Sequence, residues 1–210
     1  DPSAWPLSRL LPEAAGQSFT AGLQKQGVEF HFGTAVKGSW KNNNGLRLEL
    51  VDGQQIEADQ ILSAIGLRPR TILAKAAGIS CQRGIVTDQF LQTNMADIYA
   101  MGDCAEISGQ LLPFVLPIMH QAHALARTLA GTTTALHYPE MPVVVKTPAC
   151  PAVICPPAAG TIGDWQCQTA PDGLQAYFRN TSGQLLGFAL LGSATAQSQT
   201  LAAQVPATLD

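Results

Sequence analysis

The chain has 210 residues, of which 46% are hydrophobic and 13% are charged, and its formal net charge is −3. This composition excludes a disordered chain, and the length suffices for a real core and for more than one domain. The small net charge, with both signs scattered, gives no basis for a nucleic-acid or membrane-surface partner. Since no apolar run approaches the roughly 20 residues of a membrane helix, we expect a cytoplasmic protein.

The first predicted element is an amphipathic helix over residues 12–26, on which Ala15, Phe19 and Leu23 share one face and after which Gly27 supplies the stop. Strands are predicted over residues 28–32, up to Trp40, over residues 46–51 and over residues 56–65, with a turn at Asn43-Asn44-Gly45. The first third of the chain therefore combines one helix with several strands.

An apolar strand at residues 61–65 is expected to end at Gly66, with Pro69 following. Taken alone, a Gly-x-x-Pro sequence after a strand indicates only a turn. A short helix over residues 71–77 and a strand over residues 84–87 are expected next.

The most informative stretch is residues 93–103, because an apolar run at 98–101 predicts a buried strand that ends abruptly at Gly102. Without a Cβ, Gly102 lets the backbone approach a ligand closely, and Asp103 can accept hydrogen bonds from ligand hydroxyls. The alternative is an ordinary strand that ends in a Gly-Asp turn. A helix is then expected from Pro117 to Leu129, with a stop at Gly131.

After Tyr138 the composition shifts, and a small mixed sheet with one terminal helix is predicted. Its strands are expected at residues 143–146, 152–155, 173–178 and 184–191, and the helix at 194–203. The number of cysteines is odd, and none of them has Cys-x-x-Cys spacing, so we expect free thiols and neither a redox dithiol nor a zinc site. His120 and His123 lack a third ligand, so no metal site is expected, and no catalytic nucleophile or acid/base pair is predicted.

Three features together resemble one enzyme family: the apolar run before Gly102-Asp103, the Gly66-x-x-Pro69 sequence, and residues 141–151 with Pro156-Pro157. The chain is similar to the C-terminal part of NADH:rubredoxin reductase-like, FAD-dependent pyridine nucleotide oxidoreductases. This resemblance implies an α/β fold that contains the remainder of two Rossmann-like dinucleotide-binding domains and a small α+β C-terminal domain. The implied boundaries are 1–80 for NAD(H) binding, 81–138 for FAD binding and 139–210 for the rubredoxin-reductase-type domain.

The resemblance also implies roles in cofactor binding. Asp103, beside Gly102, would hold the ribityl chain of FAD. The Val115 backbone would contact the flavin ring, and the helix that starts at Pro117 would point its N-terminus at the pyrimidine edge of the ring. Lys146 would reach toward the ring. The alternative is that Lys146 is a strand lysine exposed to solvent without a role at the ring.

On the NADH side, the resemblance implies that Gly66 flanks the nicotinamide site and that Asp1 binds the adenine ribose hydroxyls. No Gly-x-Gly-x-x-Gly phosphate loop occurs in the chain, so we interpret it as the C-terminal part of a longer reductase and expect it to be inactive alone.

The implied activity is transfer of hydride from NADH to FAD and of electrons to rubredoxin or a similar small redox protein. Reductases of this architecture with other acceptors, such as ferredoxin, a flavoprotein, nitrite reductase or a disulfide, stay open. A second hypothesis is a non-catalytic module that docks a partner and does not retain FAD.

Overall fold

Residues 1–42 and 45–209 are described by a computed structural model, and they divide into two units. The larger unit contains residues 1–64 and 142–206. The smaller unit contains residues 65–141 and the described residues from Ala207 onward. The predicted turn at Asn43 and Asn44 lies outside the described residues.

The described residues form helices and strands in both units. The helices are α1 (Glu13–Gln24), α2 (Ile72–Ala76), α3 (Val115–Leu129) and α4 (Ser198–Ala202), with a 3-10 helix at Ser193–Gln197. The strands are β1 (Val36–Asn42), β2 (Gly45–Leu50), β3 (Gln55–Ala58), β4 (Ile85–Thr87), β5 (Ala105–Ile107), β6 (Val143–Val145), β7 (Ala152–Cys155), β8 (Asp164–Ala170), β9 (Gly173–Arg179) and β10 (Leu185–Gly192).

The larger unit is built on a five-stranded sheet with the strand order β6-β7-β10-β9-β8. All four pairs of neighbouring strands are antiparallel, so the prediction of a mixed sheet is wrong. The connections explain this result. Only Pro171 and Asp172 separate β8 from β9, and residues 180–184 separate β9 from β10. Such short turns join antiparallel strands, whereas a parallel crossover needs about a dozen residues or more.

Helical segments cover both faces of this sheet. On one face, α1 buries Ala15 and Phe19 in a cluster with Leu11, Ala152, Ile154, Leu174, Ala176, Ala189 and Leu191. On the other face, the terminal helical segments bury Ala194, Leu201 and Ala202 with Leu185, Phe188 and Leu190. The central strand β10 is therefore apolar along nearly its whole length because it is buried on both sides.

A separate three-stranded antiparallel sheet, with the order β1-β2-β3, also belongs to the larger unit. Exposed ion pairs link its strands across both seams, from Lys37 to Glu49 at 2.6 Å and from Arg47 to Glu57. Two predicted strands are confirmed here: the strand that ends near Trp40 is β1, and the strand predicted over residues 46–51 is β2.

Two predicted strands are not formed. Residues 28–32 form no strand ladder, because this segment makes hydrogen bonds to other parts of the chain. Val28 N–H donates to the Leu23 carbonyl at the end of α1, and the N-terminal amino group of Asp1 donates to the His31 carbonyl. Residues 61–65 also pair with no described strand, and Leu62 and Ile65 are more than nine-tenths exposed. An apolar strand of this kind is stabilised by neighbours on both sides, which the described residues do not supply.

The smaller unit contains α2, the parallel pair β4-β5, and α3. Its core is formed by Leu91, Ala105, Ile107, Ala124, Leu136, Tyr138 and Met141. At the end of α3, Gly131 has φ +95°, and Thr132 N–H donates to the Arg127 carbonyl at 2.9 Å. Gly131 therefore ends the helix as predicted, by satisfying carbonyls of the last turn.

The strand predicted at residues 98–101 is reduced to an isolated antiparallel bridge between Gln92 and Tyr99. Ala100 N–H donates to the Leu91 carbonyl at 3.0 Å, and Ile98 is 42% exposed. The segment is thus held by the chain that immediately precedes it and is not a buried strand of a sheet.

Within the part of the chain that the structure describes, no helix has the length and apolar character needed to cross a membrane.

Candidate functional site

The site is centred on the turn at Gly102 and Asp103, between the Gln92–Tyr99 bridge and β5. Gly102 has φ +88°, a conformation that favours glycine, and a Cβ placed there would meet nothing within 4 Å. Its carbonyl accepts a hydrogen bond from Ala105 N–H at 3.1 Å. Backbone conformation, not crowding within the chain, therefore explains the glycine.

Asp103 directs its carboxylate to an exposed position at this turn. None of the hydrogen bonds found among the described residues involves this carboxylate. An exposed aspartate beside a glycine whose α-carbon borders open space is a suitable acceptor for the hydroxyl groups of a ligand.

The helix α3 begins at Val115, two residues before the predicted start at Pro117. Pro117 lies in the first turn, where a missing N–H costs no helix hydrogen bond, and its side chain is buried. Val115 is 74% exposed. The N-terminal turn of α3 therefore carries one buried residue, Pro117, and two exposed residues, Val115 and Leu116.

A buried amide that the sequence analysis did not identify connects α3 to the turn. Gln121 accepts a hydrogen bond from Gly102 N–H at 2.6 Å through Oε1 and donates to the Tyr138 hydroxyl at 2.7 Å through Nε2. Burial raises the pKa of the Tyr138 hydroxyl above its ordinary value, although the hydrogen bond from Gln121 opposes this shift. The sequence signal for this link was a polar residue on the buried face of an apolar helix.

Glu106 is a second buried polar residue that the sequence analysis missed. It lies on β5, is 2% exposed, and accepts a hydrogen bond from Gly84 N–H at 2.9 Å. Arg83 contributes its Nε at 3.9 Å from the carboxylate. A Cβ at Gly84 would lie 2.7 Å from the Cys104 carbonyl, so the chain before β4 fits closely against the segment that follows Asp103.

The structure therefore places Gly102, Asp103, Val115 and Pro117 in the smaller unit, with the first two tied to α3 by Gln121. Gly66 lies in the same unit, is exposed, and has φ +99°. Lys146 and Asp1 belong to the larger unit. Lys146 is exposed just after β6, and the Asp1 carboxylate accepts a hydrogen bond from Ser3 N–H at 2.8 Å.

No cluster of three or more metal-ligating side chains occurs among the residues that the structure describes. Cys81, Cys104, Cys150 and Cys167 carry free thiols, and burial raises the pKa of the Cys150 and Cys167 thiols.

The family described as "Pyridine nucleotide-disulphide oxidoreductase" matches residues 2–128, and the "Rubredoxin binding C-terminal domain" matches residues 135–205. The chain belongs to the pyridine nucleotide-disulphide oxidoreductase family. The Gly102–Asp103 turn and the start of α3 both lie within the matched region of this family.

Two relatives are similar to nearly the whole chain. Rubredoxin-NAD(+) reductase of Alcanivorax borkumensis is 51% identical over 96% of the chain and 53% of its own length. Nitric oxide reductase FlRd-NAD(+) reductase of Aeromonas salmonicida is 43% identical over 96% of the chain and 52% of its own length. The chain thus spans about half the length of these relatives.

Solved structures share the fold. The ferredoxin reductase for the CYP199A2 system from Rhodopseudomonas palustris has a TM-score of 0.83 at 20% identity and covers 97% of this chain and 53% of its own. NADH:rubredoxin oxidoreductase from Clostridium acetobutylicum has a TM-score of 0.72 at 17% identity, over 97% and 50% of the two chains. At these identities the likeness concerns the fold alone.

Proposed function

We propose that this chain is part of an FAD-dependent reductase that takes hydride from NADH and delivers electrons to rubredoxin or a similar small redox protein. The observation that carries this proposal is the order of two matched regions on one chain: the oxidoreductase family at 2–128 and the rubredoxin-binding domain at 135–205. Relatives named rubredoxin-NAD(+) reductase, at 51% and 47% identity, support it.

The residues of the smaller unit fit one side of an FAD molecule. The exposed Asp103 carboxylate would accept hydrogen bonds from the ribityl hydroxyls, and the open Gly102 backbone leaves room for the chain beside it. At the start of α3, the uncovered Val115 would contact the ring, and the positive helix end would stabilise negative charge there by about 0.3 to 1 kcal/mol. When bound, FAD supplies the chemistry that links two-electron transfer from NADH to one-electron transfer to the acceptor.

The remaining site residues have proposed roles in the same scheme. Gly66 would flank the nicotinamide, Asp1 would bind the adenine ribose, and Lys146 would place a cation near the ring. We assign residues 1–80 to the NAD(H) domain, 81–138 to the FAD domain and 139–210 to the rubredoxin-reductase-type domain. Because the chain has no Gly-x-Gly-x-x-Gly sequence, the pyrophosphate contacts would come from the other half of a longer, cytoplasmic protein.

Charge limits how the acceptor can dock. From Pro139 to the end of the sequence, the basic residues are Lys146 and Arg179, against four acidic residues, Glu140, Asp164, Asp172 and Asp210. This domain alone offers no positive patch to steer an acidic partner. Docking would therefore depend on apolar contact or on basic residues elsewhere, such as the exposed Arg68 and Arg70.

The proposal is tested with the longer protein that contains this chain, purified and assayed for NADH oxidation with rubredoxin, a flavorubredoxin, ferredoxin and a small dye as alternative acceptors. We expect bound FAD and the highest kcat/KM with rubredoxin. A preference for a flavorubredoxin would favour the second group of relatives, which are named nitric oxide reductase FlRd-NAD(+) reductases. Absence of flavin from the folded protein would contradict the proposal.

A second candidate, a partner-docking module that does not retain FAD, is favoured for the 210-residue chain by the missing phosphate loops. Titration of this chain with FAD, followed by flavin fluorescence, separates the two. We expect weak binding or none. Tight stoichiometric binding would show that the phosphate contacts lie within these residues.

A further inference from the structure

Gln121 is a polar side chain in an apolar environment, because it lies on the face of α3 that also buries Pro117 and Ala124. It is 2% exposed. Burying an amide without partners costs roughly 1 to 3 kcal/mol, so a buried glutamine persists where both ends of its amide are hydrogen-bonded. Both ends are bonded here, to Gly102 N–H and to the Tyr138 hydroxyl.

The direction of the Gln121 amide is determined by chemistry and not only by the placement of its atoms. A backbone N–H can only donate, so the carbonyl oxygen of Gln121 must face Gly102. Its NH₂ group must then face Tyr138, whose hydroxyl accepts the bond.

Tyr138 is itself held firmly. Its side chain is 1% exposed, and its ring lies edge-on to His120 at 6.2 Å between centroids. Its backbone N–H donates to the Leu209 carbonyl at 2.8 Å, and its carbonyl accepts from Thr208 N–H at 2.9 Å. The hydroxyl therefore provides a fixed point from which Gln121 reaches Gly102.

Gly102 needs such a support more than another residue would, because glycine permits many backbone conformations. Its carbonyl is held by Ala105 N–H, and its N–H is held by Gln121. These two hydrogen bonds fix the peptide groups on either side of Gly102 and therefore determine the position of the Asp103 backbone.

We propose that Gln121 is a positioning residue that holds the Gly102–Asp103 turn in the conformation that directs the Asp103 carboxylate toward a ribityl chain. This inference rests on the proposed function, since it assigns FAD as the ligand. Gln121 does not itself contact the cofactor in this scheme and acts through the Gly102 backbone.

The test compares Gln121→Met with Gln121→Glu in the longer protein that contains this chain. Methionine keeps the volume but offers Gly102 no oxygen. Glutamate, which takes its neutral form at a buried position, keeps a carbonyl acceptor for Gly102 N–H and a hydroxyl that can donate to Tyr138. His123→Met, on the exposed side of α3, is the control. The readouts are amide hydrogen exchange at Gly102 without FAD, and the dissociation constant for FAD.

For Gln121→Met we expect about tenfold faster exchange at Gly102 and about tenfold weaker FAD binding, as the loss of one buried hydrogen bond implies. Gln121→Glu and the control should stay within about threefold of wild type, by the same reasoning. Unchanged exchange or unchanged FAD affinity in Gln121→Met would overturn the inference, as would equal losses in both Gln121 variants. A wild-type protein without FAD affinity would instead overturn the proposed function.

Discussion

At the scale of single residues, the candidate site consists of three residues with different properties. Gly102 adopts a φ of +88° that favours glycine, Gln121 fixes its N–H, and Asp103 presents an exposed carboxylate. None of these residues needs to act as a nucleophile or a general base, because the hydride and electron transfer would take place on cofactors. In the proposed scheme these residues would bind and orient the cofactor.

The buried Tyr138 hydroxyl predicts a pH effect on stability. Its pKa is raised in the folded protein, so above about pH 10 the unfolded chain releases the tyrosine proton while the folded protein keeps it. The contribution of this group to the free energy of unfolding is therefore fully present below about pH 10 and decreases as the pH rises toward the folded-state pKa.

We predict that Tyr138→Phe flattens this decrease. Urea unfolding of both proteins at a series of pH values between 8 and 11, under reducing conditions, measures it. At pH 8 the variant should be less stable by about 1 kcal/mol, because the Gln121 amide loses its acceptor. Parallel curves for the two proteins above pH 10 would contradict this account of Tyr138.

The sequence predicted that the chain changes direction at Gly102, because this glycine follows an apolar run, but the buried strand expected before it is only an isolated bridge. It could not predict the Gln121 link. A glutamine between Pro117 and Ala124 on a helix face indicates a buried polar group, but its partners lie 17 and 19 residues away along the chain. Only tertiary structure identifies them.

At the scale of elements, α1 shows how a periodic sequence becomes a packed layer. Ala15 and Phe19 lie on one face and are buried against strands of the five-stranded sheet in the same unit. Removing a buried phenylalanine side chain loses its transfer free energy and leaves a cavity.

We predict that Phe19→Ala lowers the free energy of unfolding of the chain by about 3 to 5 kcal/mol. Gln17→Ala, on the exposed side of the same helix, should change it by less than about 0.5 kcal/mol. Urea denaturation followed by circular dichroism measures both. Equal stabilities for the two variants would show that α1 does not pack on the sheet.

Strand predictions succeeded where apolar residues are continuous or alternate, as in β2, β7 and β10. The edge strand β8 was missed because its sequence is mostly polar and its side chains are mostly exposed. The opposite error occurred at residues 61–65, where an apolar run predicts a strand but no described neighbour pairs with it. A strand requires partners, and the local sequence does not report them.

At the scale of the whole molecule, the C-terminal region cannot be removed cleanly to test docking. The described residues from Ala207 onward belong to the smaller unit, and Leu209 pairs there with Tyr138. In the larger unit, β7, β9 and β10 contribute most of the cluster that buries α1. Deleting residues 139–210 would thus disturb both units, so single surface substitutions are the better test.

We predict that Ile162→Asp weakens the use of rubredoxin without affecting a small dye. Ile162 is 83% exposed and lies within the region that matches the rubredoxin-binding domain, and buried apolar contact favours protein association. KM for rubredoxin should rise about tenfold in the longer protein, as loss of one apolar contact implies. Gln166→Asp adds the same charge at an exposed position of β8 and is the control. An unchanged KM would remove Ile162 from the docking surface.

The most direct test of the proposed cofactor site is the affinity of the longer protein for FAD after Asp103→Ala. Loss of charge-assisted hydrogen bonds to the ribityl hydroxyls should weaken binding by about 1.5 to 3 kcal/mol, which is roughly a 10- to 150-fold higher dissociation constant. Thermal stability of the cofactor-free protein should not change, because Asp103 is exposed, and Asp164→Ala, at another exposed aspartate, should bind FAD as wild type does. An unchanged dissociation constant for FAD in Asp103→Ala would contradict the assignment.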